Sequence, residues 1–185
     1  MTNIDNDKDE RRGFFRIDDE VYLEYEVVSE DEYSNAKQIL DEVHESTFAL
    51  SANFATLNHD NNYLLNNIRR NSPEISQYLD LLNQKIDGLS QHLLESNTSS
   101  SEDNLVTVNV SASGIAFNTN ENLDKNQAMK LRIILLPEKV GIQVYGRIID
   151  CKPDTENKEF LSSMDFEYIR NDDTELMIKH NLNKQ

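Results

Sequence analysis

The 185-residue chain carries 18 Lys plus Arg against 34 Asp plus Glu, a formal net charge of −16, with a single cysteine. That length suits one domain of ordinary size, or one domain with a large insertion. A surface this negative repels DNA, RNA and anionic lipid heads, which argues against general nucleic-acid or membrane binding, and the lone Cys151 permits neither an intramolecular disulfide nor a cysteine zinc site.

Residues 1–10 are polar and acidic, and read as a disordered N-terminus without the apolar core of a secretory signal. No apolar run approaches the roughly 20 residues needed to cross a bilayer, so the expectation is a soluble, cytoplasmic protein. A short basic stretch follows, Arg11-Arg12-Gly13-Phe14-Phe15-Arg16. Val21–Val28 then alternates as a β-strand, with Val21, Leu23, Tyr25 and Val27 on one face.

From Ala36 to Ile68 the period changes to seven. With Leu40 at position a, the a positions are Leu40, Thr47, Phe54, Asn61 and Ile68, and the d positions Ala36, Val43, Leu50, Leu57 and Leu64; eight of the ten are apolar. Ser72-Pro73-Glu74 reads as a break and a helix restart, with Ser72 as N-cap. The second segment carries Ile75, Leu82 and Leu89 at d and Leu79, Ile86 and Leu93 at a. At ~1.5 Å per residue, the two helices would run about 50 and 30 Å. The poor helix formers Asn58–Asn62 mark where the first could break and make three. A seam this long exceeds what a small barrel can cover, so self-association is expected. Phe54, flanked by Ile39 and Leu65, implies a wide interface and a bundle of four or more helices, with Thr47 and Asn61 fixing register. Mostly uncharged e and g positions leave partner choice to packing. Ser-rich residues 97–103 close the insertion as a flexible return.

Strand signals return at Leu105–Val110, Ile115–Asn118, Met129–Leu136, Ile142–Asp150 and Phe160–Phe166, with hairpin turns at Pro137–Gly141 and Lys152–Lys158 and a last helix over Asp172–Leu182. Together these give an α+β fold: a small antiparallel six-stranded β-barrel with a C-terminal helix, interrupted after its first strand by a helical hairpin or coiled coil. The expected division is 11–34 plus 104–185 for the barrel domain and 35–96 for the oligomerisation insertion, so removing 36–95 should leave a monomeric barrel.

Two stretches carry chemistry. Arg12 and Arg16, four residues apart just ahead of a strand, can grip a phosphate from two directions or stack on a purine, and Arg11 adds a third charge. The alternative is that they neutralise Asp9, Glu10, Asp18, Asp19 and Glu20 around them. In Asn109-Val110-Ser111-Ala112-Ser113-Gly114, Asn109 and Ser111 share a strand face; one can read a base edge and the other bond a phosphate or guanine. Gly114 would supply a positive-φ turn or admit close approach of a ligand. The alternative is an ordinary Asn/Ser/Gly hairpin.

With both stretches in place, the chain resembles the PilZ family of bacterial cyclic di-GMP receptors over residues 11–28 and 104–185. Arg12 and Arg16 match the family's RxxxR segment, and Asn109, Ser111, Ser113 and Gly114 its (D/N)xSxxG turn. The resemblance implies that Arg12 and Arg16 contact phosphates and stack on guanine, with Arg11 nearby, while Asn109, Ser111, Ser113 and Gly114 frame the other side. It also implies no enzymatic activity and no cofactor beyond the nucleotide ligand. The inserted helices, about 65–70 residues, are similar to those of a subgroup made tetrameric by heptad-repeat helices, implying a homotetramer with an unidentified downstream partner. A mobile arginine segment would close over the nucleotide and change the surface shown to that partner. A ligand-blind scaffold is the competing reading.

Enzyme signatures are thin. His44, His59, His92 and His180 read as solvated or seam-edge side chains, Cys151 as a buried inert thiol, Asp18–Asp19 as a solvated face and Asp172–Asp173 as a helix start. No nucleophile–base set, P-loop or metal spacing is present.

Overall fold

A computed structural model describes residues 15–43, 47–97, 104–154 and 159–185. Six strands close into an antiparallel barrel: β1 (Ile17–Val27), β2 (Leu105–Ser111), β3 (Gly114–Thr119), β4 (Ala128–Leu135), β5 (Val140–Asp154) and β6 (Glu159–Tyr168), joined in the order β1-β2-β3-β6-β5-β4. The α+β barrel expected from the sequence is the fold observed. Among the described residues five helices accompany it: α1 (Glu30–Ser34), α2 (Ala36–Val43), α3 (Thr47–Asn71), α4 (Pro73–Asn97) and α5 (Asn171–Asn183).

Alternation builds the barrel. Val21, Leu23, Val108, Val110, Ile115, Phe117, Leu131, Ile133 and Met164 point inward and are buried, and Met177 of α5 joins them. β1 starts four residues earlier than its apolar pattern indicates. Asp18, Asp19 and Glu20 are poor strand formers, yet the alternation carries through them and makes Asp19 a buried, inward-facing position. At the other end of β1, Tyr25 and Val27 are exposed rather than continuing the inner face.

The helical insertion does not start as a free arm. Ser29 caps α1, its Oγ accepting from Glu32 N at 3.2 Å. The Arg147 guanidinium holds Glu30 with two bonds of 2.9 and 2.7 Å and stacks 4.3 Å from the Tyr33 ring centroid. Tyr145 donates its hydroxyl to Glu32 at 3.1 Å; burial first, then that bond, push the phenol up to about 12. Around these contacts Val28, Tyr33, Ala36, Leu40, Ala128 and Tyr145 form a second buried cluster. Ala36 and Leu40, the first d and a positions of the heptad pattern, are therefore spent on the barrel. Ala52 of α3 lies in the main core, and Asn53 accepts from Arg170 Nη1 at 3.2 Å.

α3 runs unbroken through Asn58–Asn62, where poor helix formers could have broken it, and residues 44–46, between α2 and α3, lie outside the described residues. α3 and α4 meet at Ser72, whose carbonyl accepts the first helical bond of α4 from Ser76 N at 3.1 Å. Arg69 and Asp80 tie the two helices at 3.1 Å. The buried side chains of α4 include Ser76 and Ser90, two heptads apart, on a helix whose packing partner is α3. The apolar seam residues Leu57, Leu64, Ile75, Ile86, Leu89 and Leu93 remain exposed in the single chain. Among the described residues, no helix is long and apolar enough to cross a membrane.

Candidate functional site

The β1–β2 register sets the geometry. Ile17 pairs with Val110 and Asp18 with Asn109, so Arg16 emerges beside the Asn109–Ser111 stretch from the other end of the sequence. Its Nη1 donates to Asn109 Oδ1 at 3.5 Å, a long bond between residues 93 positions apart. Asn109 Nδ2 in turn donates to Asp18 Oδ1 at 2.8 Å. The amide is thus held between a cation and an anion, with its donor and acceptor ends assigned by those two neighbours.

The β2–β3 turn supplies the rest. Ser111 is fully buried: its Oγ donates to the Gly114 carbonyl at 3.2 Å and accepts from Ser113 N at 3.3 Å, with Ser113 Oγ also 3.3 Å away. These contacts make Ser111 the internal brace of the turn. Ser113, half-buried, is the hydroxyl nearer the surface. Gly114 does not adopt positive φ. Its role is close approach instead: a Cβ there would lie 2.6 Å from the Met164 carbonyl, 3.1 Å from Asp165 Oδ1 and 3.2 Å from Arg16 Nη2. The backbone must be bare at this point for β6 and the Arg16 guanidinium to converge on it.

Arg16, Asn109, Ser111, Ser113 and Gly114 therefore share one corner. Arg11 and Arg12 lie outside the described residues, as do the polar N-terminus over 1–10 and all of the Ser-rich return but Asn97. Three further side chains stand at this corner. Asp18, expected only as a countercharge to the arginines, is the strand partner of Asn109, and Asp165 adds a second carboxylate. Phe15, next to Arg16, exposes 61% of its surface. No sequence signal identified Asp165.

Other readings change. Asp19 and His180, taken for solvated groups, are buried together: His180 Nε2 donates to the ionised Asp19 Oδ2 at 2.6 Å, and Lys184 Nζ pairs with Asp19 Oδ1. Burial raises the cost of the Asp19 charge, but the bonds from His180 and Lys184 outweigh it and hold the carboxyl below its ordinary range. Asp173, taken for a helix start alone, is also buried and is gripped by Arg170 at 2.7 and 2.9 Å. Cys151 is half-buried, its sulfur accepting from Ser162 Oγ at 3.3 Å. His92 is exposed on α4, while His44 and the side chain of His59 fall outside the described residues. Among the described residues no three His, Cys, Asp or Glu side chains come together to hold a metal.

A closed six-stranded barrel with this turn and a C-terminal helix is a PilZ-like fold, and residues 92–182 match the family model for the PilZ domain. The matched span includes the Asn109–Gly114 turn and leaves out β1 and the arginine segment. Among solved structures, the chain is similar to a Xanthomonas campestris pathogenic protein, described as a tetrameric PilZ domain self-assembled through a helical bundle. The identity is 12%, with 93% of this chain and 88% of that one covered and a TM-score of 0.56. It is also similar to the Bacillus subtilis inhibitor of motility MotI/DgrA, at 17% identity and a TM-score of 0.40, over 44% of this chain and only 41% of that one. No curated protein sequence matches the chain.

Proposed function

We propose that this chain is a non-enzymatic receptor for cyclic di-GMP that assembles through its α3–α4 hairpin. The observation that carries the nucleotide reading is the meeting of Arg16, Asn109 and Gly114 at one corner in a chain of net charge −16. A guanidinium beside a bare-backbone turn offers bidentate donors to a phosphate and a flat face to a purine. Arg11 and Arg12 would add charge from the same segment, and Ser113 a hydroxyl. Ordering of that segment around the nucleotide is the proposed signal to a downstream partner.

Assembly is supported by the exposed apolar seam of the hairpin and by the likeness to a protein that tetramerises through a helical bundle. A homotetramer is the proposed state.

Calorimetric titration with cyclic di-GMP tests the reading. Arg16→Ala and Arg12→Ala should each weaken affinity by about tenfold or more, consistent with loss of charged hydrogen bonds worth ~1.5–3 kcal/mol. Unchanged affinity in both would displace the site. The second reading, a ligand-blind scaffold, is favoured by the Asp18 and Asp165 carboxylates, which stand at the same corner as Arg16 and would repel a phosphate there. Wild-type chain that ignores the nucleotide while still assembling would establish it.

A further inference from the structure

A buried amide on the last helix stands against the arginine corner. Asn181 of α5 donates from Nδ2 to the Phe15 carbonyl at 3.4 Å and to the Val110 carbonyl at 3.5 Å. Phe15 immediately precedes Arg16, and Val110 stands between Asn109 and Ser111. One side chain therefore touches the backbone of both halves of the arginine corner, reaching 166 residues back to one and 71 to the other.

Packing alone does not account for an asparagine here. The residue is only 4% exposed, and its Oδ1 is buried with no partner among the described residues. An unpaired buried amide oxygen is costly, and a leucine, with the same branched heavy-atom outline, would avoid that cost. What leucine lacks is the pair of donors. The helix around Asn181 is also fixed to the same strand: one residue before it, His180 bonds Asp19, and three residues after it, Lys184 pairs with that same carboxylate. The end of α5 thus grips β1 at Asp19 and the chain entering β1 at Phe15.

We propose that Asn181 is a positioning residue for the nucleotide site, holding the Phe15–Arg16 backbone against β2 so that the Arg16 guanidinium is presented to the ligand beside Asn109. The proposal rests on the cyclic di-GMP reading for its ligand, and on the contacts above for its geometry. Pre-placing Arg16 spares its own share of the ordering entropy, so the ordering proposed as the signal belongs to Arg11 and Arg12.

The experiment uses full-length Asn181→Leu and Asn181→Ser, calorimetry with cyclic di-GMP at a temperature where circular dichroism shows both folded, and amide hydrogen exchange without ligand. Asn181→Leu should weaken affinity about tenfold and speed exchange at residues 16–18 while the β4–β5 amides stay unchanged. Asn181→Ser, which keeps one donor, should recover part of both. Wild-type affinity in a folded Asn181→Leu overturns the proposal; if that variant does not fold, wild-type affinity in Asn181→Ser does so. Wild-type chain that fails to bind cyclic di-GMP rejects the nucleotide reading instead, and unchanged exchange at residues 16–18 then overturns the anchoring on its own.

Discussion

A methyl group on Gly114 would meet the Met164 carbonyl at 2.6 Å, and one on Gly146 would meet the Asp165 carbonyl at 1.9 Å. Both obstacles are backbone, so relief requires separating β6 from its neighbours. Gly114→Ala should therefore cost ~1–3 kcal/mol in denaturant unfolding and Gly146→Ala more, since overpacking scales with the displacement demanded. Asp19 makes a different kind of prediction. Its carboxyl is held below the ordinary value of 3.8, so the unfolded chain takes up the proton first as pH falls. Its contribution is complete above 3.8 and is lost as pH drops from there through the folded value. Asp19→Asn should lower stability at pH 7 by ~3 kcal/mol, the scale for breaking a buried pair. It should also flatten the loss of stability below about pH 4, both read from urea midpoints across pH. A mutant curve parallel to wild type in acid would remove Asp19 as the titrating group.

Between residues and the molecule stand the helices, and each is fixed by a different force. α1 is too short to stand alone; the Arg147 fork to Glu30 and the stack on Tyr33 hold it to the barrel. Arg147→Met should keep the barrel folded but speed amide exchange in α1, with a lower thermal midpoint. The hairpin obeys packing of another sort. Its intrachain face includes the small Ser76 and Ser90, while Leu64 and Leu89 stay more than half exposed, at 54% and 65%. A heptad pattern states that a stripe is apolar and is silent on what covers it. Leu64→Glu with Leu89→Glu should reduce the mass measured by light scattering to that of one chain while leaving helix content near wild type. Retention of the wild-type mass would place the interface elsewhere.

At the scale of the molecule, barrel and insertion are not separable where the heptads begin. Ala36 and Leu40 bury against Tyr145 and Ala128, and Ala52 enters the main core, so removing 36–95 takes core residues away with the arm. That deletion should unfold at lower denaturant than the intact chain. Trimming only 57–89, with a short turn as replacement, should preserve the barrel and abolish assembly. Comparing the two by circular dichroism and light scattering separates the parts.

Period-two apolar alternation determined the barrel and period seven the long helices, because those patterns register which face must leave water whatever the partner. The Asn109–Gly114 turn was legible in part: the bonds of Ser111 to Ser113 and Gly114 are local, whereas the need for a bare Gly114 comes from Met164 and Arg16, which only the fold brings near. Tertiary structure alone decided the rest. Asp19 and His180 read as solvated because charge favours water, and only the fold could supply each with the other at burial. Asn181 had no sequence signal at all: its meaning lies in two carbonyls that reach it from distant parts of the chain, and a contact of that range is created by barrel closure.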